Sequence, residues 1–401
     1  MNFPEIEQVA PALAKRIKKH VTGAKRAFRA ICHLGFETTT AREFEKLGLA
    51  ESVQISPGAI DFEAKLEDAW KLLAFSRTST RIIMRIAEFE ATNFGKLTKK
   101  AAEIPWELYF PWGKIPEIRV TCRKSRLYHT DAVAERLASV LENALLSEAL
   151  PRSQEASQEH PQKQTLFAHF ESDRCILSVD LTGEALYKRG FERHVEDAPL
   201  RDTLAGAILF EAGLTETHTL IDPMAGSGTF SSEAMLLKAG AHLWKTRHFA
   251  CEAQPAYRPA AWNYLTSHAK PIALKEDLQV ETSDISTQAF ATIEYNLKTK
   301  GAAPYIRGFE SSLSLSRQDF FALPPAKEGS LLALNPPYGK RLDADVPRLY
   351  KEIGNKIRKD FSGAKIAIMV PSDDAEKALA LRARKVIRTS HGGLNVKVLF
   401  I

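Results

Sequence analysis

The chain has 401 residues, room for two or three domains, and its 44% hydrophobic and 26% charged composition is that of a folded globular protein. No apolar run approaches the roughly 20 residues that cross a bilayer, and the amino terminus lacks the pattern of a secretory signal. Cys32, Cys122, Cys175 and Cys251 are too scattered for a zinc site or a dense disulfide scaffold, so a cytoplasmic protein with unpaired thiols and no metal is expected.

The formal net charge is +6, with much of it early: Lys15, Arg16, Lys18, Lys19, Lys25, Arg26 and Arg29 face only Glu5 and Glu7. Such a concentration suits a polyanionic partner or a solvated helix face. After this basic segment, FRAICHLGFETTTAREFEKLGL predicts a strand, a glycine turn and a helix ending at Gly48. VQISPGAIDFEA predicts two short strands around Pro57-Gly58. Residues 1–60 are taken as the basic segment with part of a first subdomain. Over 61–190, KLEDAWKLLAFS has helical spacing and TRIIMRIAEFEA predicts a strand with Ile82, Met84 and Ile86 on one face. A helical stretch and the strand IRVTCRKS follow. DAVAERLASVLENALLSEAL predicts one long helix, PRSQEASQEHPQKQT a polar loop, and LFAHFES and CILSVDLTG two strands. The third region, 191–401, alternates strand and helix from about residue 200, the signature of a mostly parallel sheet covered on both faces. Its strands are read in HTLID, DLQVETSDI, SLLALN, AKIAIMVPS and NVKVLFI.

In DPMAGSGTF a strand ends on Asp222 and turns through Gly226-Ser227-Gly228 into a helix. Glycines let the backbone approach a ligand, and the helix amides that follow can donate to it. Asp222, Pro223, Ala225, Gly226, Gly228 and Thr229 therefore form a candidate cofactor turn. The spacing is neither the dinucleotide fingerprint nor a P-loop. An adenosine ligand also needs a carboxylate at the next strand end for its ribose hydroxyls. Glu252 lies at the more usual chain distance, but its strand is short; Asp284, which precedes a well-formed helix, is the better candidate. That choice requires a long insertion over 240–275. Asp319 in RQDFF is placed to address an adenine amino group, with Phe320 packed on the ring.

LLALNPPYG is the most informative segment. Two prolines remove ladder donors inside a sheet, but at a strand end they make a stiff turn with outward carbonyls. A conjugated amine is a poor nucleophile because its lone pair is delocalised. Hydrogen bonds from its protons to the Asn335 side-chain oxygen and the Pro336 carbonyl would favour pyramidalisation, while Tyr338 stacks on the base and Pro337 stiffens the turn. Together with the glycine turn, this points to methyl transfer from S-adenosylmethionine. DNA amino groups, a protein glutamine and a non-catalytic RNA-binding module are the alternatives.

CHLGFETTTAREFEKLGL, SRTSTRIIMRIAEF, RKSRLYHTDAVAERL, LTGEALYKRGFERHVEDAPLRDTLAGAIL, DPMAGSGTF, ETSDIS, RQDFF and NPPYGKRL span nearly the whole chain. In these segments the sequence resembles the THUMP-domain class I RNA guanine-N2 methyltransferases, in particular the N-terminal half of the bacterial 23S ribosomal RNA enzyme. The resemblance implies a ferredoxin-like subdomain, a THUMP unit that holds structured RNA, and a Rossmann-like α/β methyltransferase domain. It implies that Asp222, Gly226 and Gly228 surround the methionine end of S-adenosylmethionine, Asp284 takes the ribose and Asp319 the adenine. It further implies that Asn335, Pro336, Pro337 and Tyr338 form the target-base site. Lys188, Arg189, Arg193 and Arg201 are expected to contact RNA, with transfer RNA as the alternative substrate. The basic segment before residue 30 is not part of the shared pattern, and a single chemistry is expected from a sequence that ends at 401.

Overall fold

A computed structural model describes residues 11–49, 53–146, 162–195, 199–269, 271–337 and 346–401. Among them the chain forms two seven-stranded sheets, one after the other. Tyr338, most of the expected polar loop and the end of the long helix beyond 146 lie outside the described residues.

The first sheet contains β1 (Arg26–Cys32), β2 (Gln54–Ser56), β3 (Ala59–Ala64), β4 (Ser79–Glu90), β5 (Glu117–Arg123), β6 (Thr165–Glu171) and β7 (Arg174–Asp180). Their order is β2-β3-β1-β4-β7-β6-β5, antiparallel except for β5 with β6. Strand side chains alternate between faces, and in β1 this buries Phe28, Ala30 and Cys32. The first half of that inner face packs against α1 (Pro11–Ile17), α2 (Glu37–Lys46) and α3 (Leu66–Phe75). The second half packs against α4 (Phe94–Ala102) and α5 (Thr130–Leu145). Ile82 and Met84 are buried as the spacing predicts, and Ile86 packs at the core edge. The division expected between residues 60 and 61 falls inside β3, and β1 pairs with both β3 and β4. One sheet thus runs across it.

The second sheet contains β8 (Thr219–Asp222), β9 (Gln279–Asp284), β10 (Leu313–Arg317), β11 (Ser330–Leu334), β12 (Lys365–Val370), β13 (Lys385–His391) and β14 (Leu394–Phe400). The order is β10-β9-β8-β11-β12-β14-β13; the first five strands are parallel and β14 is antiparallel to both its neighbours. Its helices are α6 (Asp202–Glu211), α7 (Thr229–Lys238), α8 (Pro259–His268), α9 (Thr287–Glu294), α10 (Val346–Asp360) and α11 (Asp373–Leu379). The sheet is covered by α6, α7 and α9 on one face and by α10 and α11 on the other. Central β11 is buried throughout, which explains why SLLAL reads as a continuous apolar run. The edge strands β10 and β13 were not among the expected strands. They are only partly covered and carry correspondingly few apolar side chains.

The insertion over 240–275 packs back on the first sheet's helices. Trp262 lies 6.4 Å from Trp70 and 5.4 Å from Phe249, and Tyr257 lies 5.4 Å from Trp70 (ring centroids). A buried polar cluster joins the halves. Glu43 on α2 accepts hydrogen bonds from Ser76 Oγ (2.7 Å), the Arg77 amide (2.5 Å), Thr78 Oγ1 (2.6 Å) and the Thr78 amide (3.3 Å). It thereby fixes the loop from which Arg77 reaches the Ala241 carbonyl at 3.2 Å in the second half. Gly206 of α6 leaves the room, since a Cβ there would come within 2.8 Å of the Arg77 carbonyl. Among the described residues, no helix is long and apolar enough to cross a membrane.

Removing the Glu43 acceptor would strand two backbone amides in the interior. Glu43→Ala is therefore expected to lower stability by about 3 kcal/mol, measured as a shift of the urea unfolding midpoint at unchanged slope.

Candidate active site

Four neighbouring parallel strands, β10, β9, β8 and β11, bring their carboxyl ends to one edge of the second sheet. Asp284 and Asp222 terminate β9 and β8, while Asp319 and Asn335 follow β10 and β11. The chain leaves β8 into α7 on one face and β11 toward α10 on the other. Such a divergence opens a crevice, the usual ligand site of open α/β sheets. Here it is a cavity of about 460 Å³. Asp222, Gly226, Asp284, Asp319 and Asn335 all line it, with apolar walls from Phe230, Ile285, Phe320 and Phe321.

Pro223, Ala225, Thr229 and Pro337 border the same space. Gly226 has φ +56, and a Cβ built on it would meet nothing within 4 Å. The left-handed backbone asks for glycine, and the space beside it stays open to a ligand. Gly228 instead faces α9, with a built Cβ 3.6 Å from Ile293 and Leu297. Pro336 is buried behind the wall.

The acids differ in their engagement. Asp284 accepts the Gly226 amide at 2.9 Å on one oxygen and the Ser286 amide at 2.9 Å on the other, so it also holds the glycine turn. Asp319 accepts the Phe321 amide at 3.0 Å. Asp222 is buried and accepts Ser231 Oγ at 2.8 Å and the Ser231 amide at 3.2 Å on a single oxygen. Burial pushes its carboxyl up to about 7; the Ser231 hydrogen bonds oppose this and the Asp284 charge adds to it. Asn335 presents a different condition: the residue lines the cavity, and its side-chain oxygen is buried with no hydrogen-bond partner among the described residues. An orphan acceptor is costly unless a ligand donor completes it.

The four expected RNA contacts are not brought to the cavity. Arg189 is 7% exposed, and its guanidinium grips Glu233 of α7 at 3.0 and 2.9 Å and the Arg77 carbonyl at 3.2 Å. That corrects its expected surface role, because its donors are spent on joining the two halves. Arg193 pairs with Asp202 at 2.5 Å and is largely covered. Lys188 is exposed and pairs with Glu184 at 2.7 Å; exposed Arg201 lies 5.0 Å from the Tyr187 ring. Glu252 accepts the Phe249 amide at 2.8 Å and does not line the cavity.

Sequence reading missed Ser231, which accepts Thr282 Oγ1 at 2.6 Å while donating to Asp222. It also missed Asn296, fully buried just after α9. The Asn296 amide nitrogen reaches the Ser227 carbonyl at 3.0 Å and the His194 carbonyl at 2.8 Å, tying the glycine turn to the segment that brings Pro199 and Leu200 to the cavity. A polar residue on the buried side of an apolar helix was the available signal. Among the described residues no group of three or more His, Cys, Asp or Glu could hold a metal ion.

A doubly wound sheet in this strand order, with acids at successive carboxyl ends and a glycine turn between the first two, defines a class I methyltransferase domain, here carried behind a ferredoxin-like unit. Residues 189–397 match the model for the RMKL-like methyltransferase domain, and residues 27–83 match that for the RlmL ferredoxin-like domain. The chain belongs to the RMKL-like methyltransferase family. Over 383 residues it is 30% identical to the ribosomal RNA large subunit methyltransferase K/L of Syntrophotalea carbinolica, an alignment covering 93% of this chain and 53% of that protein. The chain spans about half the length of the curated relatives it matches. Among solved structures, a possible methylase from Clostridium difficile 630 superposes with TM-score 0.80 at 25% identity, covering 94% of this chain and 97% of that one. The SMU.472 protein, complexed with SAH, superposes with TM-score 0.79 at 23% identity, covering 94% and 98%.

The folded Asp222 carboxyl titrates near 7, above its unfolded value, so the native state binds more protons between about pH 4 and pH 7 and this group lowers stability as pH rises through that window. Asp222→Asn is therefore expected to be more stable relative to the parent at pH 8 than at pH 5 in urea unfolding. An unchanged difference would remove the burial argument.

Proposed function

We propose that this chain methylates the exocyclic N2 of a guanine in RNA, with S-adenosylmethionine as donor. The observation that carries the reading is the orphan Asn335 oxygen in a cavity shared with the Gly226 turn. The residues fit the donor: Asp222 and the turn amides suit a methionine end, Asp284 a ribose and Asp319 with Phe320 an adenine. When bound, the donor supplies an electrophilic methyl on a sulfonium. The Asn335 side-chain oxygen and the Pro336 carbonyl accept hydrogen bonds from the two N–H groups of a planar amine, localising the nitrogen lone pair toward the cavity. The nitrogen sheds one of these protons to solvent once the C–N bond has replaced the S–C bond. The apolar walls exclude water, so held geometry and oriented dipoles supply the rate.

RNA is favoured by the family and by the architecture. Residues 191–401 act as the catalytic domain, and residues 61–190, with the ferredoxin-like strands before them, present structured RNA as a THUMP-containing region. The similarity to ribosomal RNA large subunit methyltransferases K/L makes large-subunit ribosomal RNA the first substrate to test. A guanine in a stem must leave the stack to reach the cavity.

The test is transfer of tritiated methyl into ribosomal and transfer RNA lacking the modification, followed by nucleoside analysis. N2-methylguanosine is expected, and label confined to adenine would overturn the base assignment. Asn335→Ala is expected to lower the single-turnover rate roughly 100-fold with little change in calorimetric S-adenosylhomocysteine affinity. Normal turnover in that variant would reject the role of the side chain.

A further inference from the structure

Among the described residues, four non-glycine positions have left-handed backbone: Lys124 (φ 46), Ser172 (φ 52), Asp173 (φ 65) and Ala380 (φ 51). Three of them meet at one point, where the loop after β5 lies against the β6–β7 turn. Ser172 and Asp173 are the two central residues of the tight β6–β7 hairpin, where positive φ is the ordinary turn geometry, so Lys124 is the position whose left-handed backbone the loop itself has to hold.

The enforcement here is explicit. The Ser172 amide donates to the Arg123 carbonyl at 3.1 Å, the Asp173 amide to Ser125 Oγ at 3.0 Å, and the Arg126 amide to Asp173 Oδ1 at 2.7 Å. The Asp173 carbonyl accepts the Ala91 amide at 2.9 Å, tying the turn to the end of β4. Leu127 is 6% exposed and anchors the loop in the core beneath α5. The loop is thus held rigid before any partner arrives.

What it displays is unlike a solvated turn. Tyr128 is 66% exposed although its neighbour Leu127 is buried, and its ring centroid lies 4.0 Å from that of exposed His129. Arg123, Lys124 and Arg126 are exposed in the same loop, where the sequence between Glu117 and Asp131 carries no acidic residue, while Glu171 stands opposite Arg123 across the β5–β6 pair. Asp173, the acid drawn into the loop, is engaged by the Arg126 amide and lies 3.5 Å from its guanidinium. A pre-set aromatic face flanked by cations is the arrangement that takes an unpaired nucleotide: the ring stacks on any base and the cations neutralise the adjoining phosphates. A duplex keeps its base faces covered, and an acidic peptide does not alternate flat aromatic faces with anionic groups as a single strand does.

We infer that the loop over 123–129 is an RNA contact separate from the crevice, in which Tyr128 stacks on an unpaired base while Arg123, Lys124 and Arg126 hold its phosphates. The inference rests on the RNA reading proposed above, and the loop lies outside the residues matched by either family model.

The test is fluorescence anisotropy of the full chain with labelled single-stranded oligoadenylate and with an RNA duplex. Tyr128→Ala is expected to weaken oligoadenylate binding about tenfold and leave the duplex unchanged, whereas Tyr128→Phe keeps the parental affinity. Arg123→Gln with Lys124→Gln is expected to flatten the slope of log affinity against log salt by about 1.4. Unchanged S-adenosylhomocysteine binding in each variant reports an intact fold. Parental affinity in Tyr128→Ala, equal losses in the Ala and Phe variants, or equal loss on the duplex would overturn the loop assignment. So would oligoglutamate binding more tightly than oligoadenylate. If the parent methylates RNA and Tyr128→Ala binds as the parent does, the loop assignment falls and the methylation reading stands. If Tyr128 governs oligoadenylate binding and no RNA is methylated, the reverse holds. A parent that binds no RNA rejects both.

Discussion

Between β8 and β11 the chain departs toward opposite faces of the sheet, and no helix can cover the gap left at their carboxyl ends. This one feature of winding makes room for everything else. It allows a carboxylate and an amide to stand at neighbouring strand ends inside a core that otherwise admits only apolar side chains. Asp222 is tolerated because Ser231, itself backed by Thr282, supplies hydrogen bonds from below. The Asn335 oxygen has no such support among the described residues. A buried acceptor left incomplete beside an open glycine turn is an imbalance that a ligand donor would correct.

The two halves are not merely strung together. Glu233 sits on α7, the helix that begins at the glycine turn, and its carboxylate is gripped by Arg189 with Arg77 3.9 Å away. Arg77 comes from the first half, on a loop held by Glu43. The foundation of the glycine turn and the foundation of the ferredoxin-like sheet therefore share one polar cluster. Buried charges of this kind add little net stability, but losing one partner is costly, which makes the relative placement of the halves specific.

Much of the site was legible in the chain because it is local. A glycine pair after a strand-ending acid, and paired prolines after an apolar run, restrict the backbone wherever they occur, so Asp222, Gly226 and Asn335 could be named before any fold was known. Asp284 could be preferred to Glu252 because a well-formed helix follows it. Arg189 misled for an equally physical reason. A cation in a basic stretch reads as surface charge, and nothing nearby in sequence announces its partner at Glu233. The edge strands β10 and β13 went unread because half-covered strands need few apolar residues.

By itself the sequence determined the class of sheet and the places of the glycine turn and of Asn335 at strand ends, since periodicity and backbone restriction act over a few residues. Only the tertiary structure decided which acids share a cavity, that Arg189 is buried, that Asn296 ties the glycine turn to the segment reaching Pro199, and that one sheet runs across residue 60. Each of these depends on contacts between residues far apart in the chain. Local propensity carries no record of such pairs; burial and the need to satisfy every interior polar group select them.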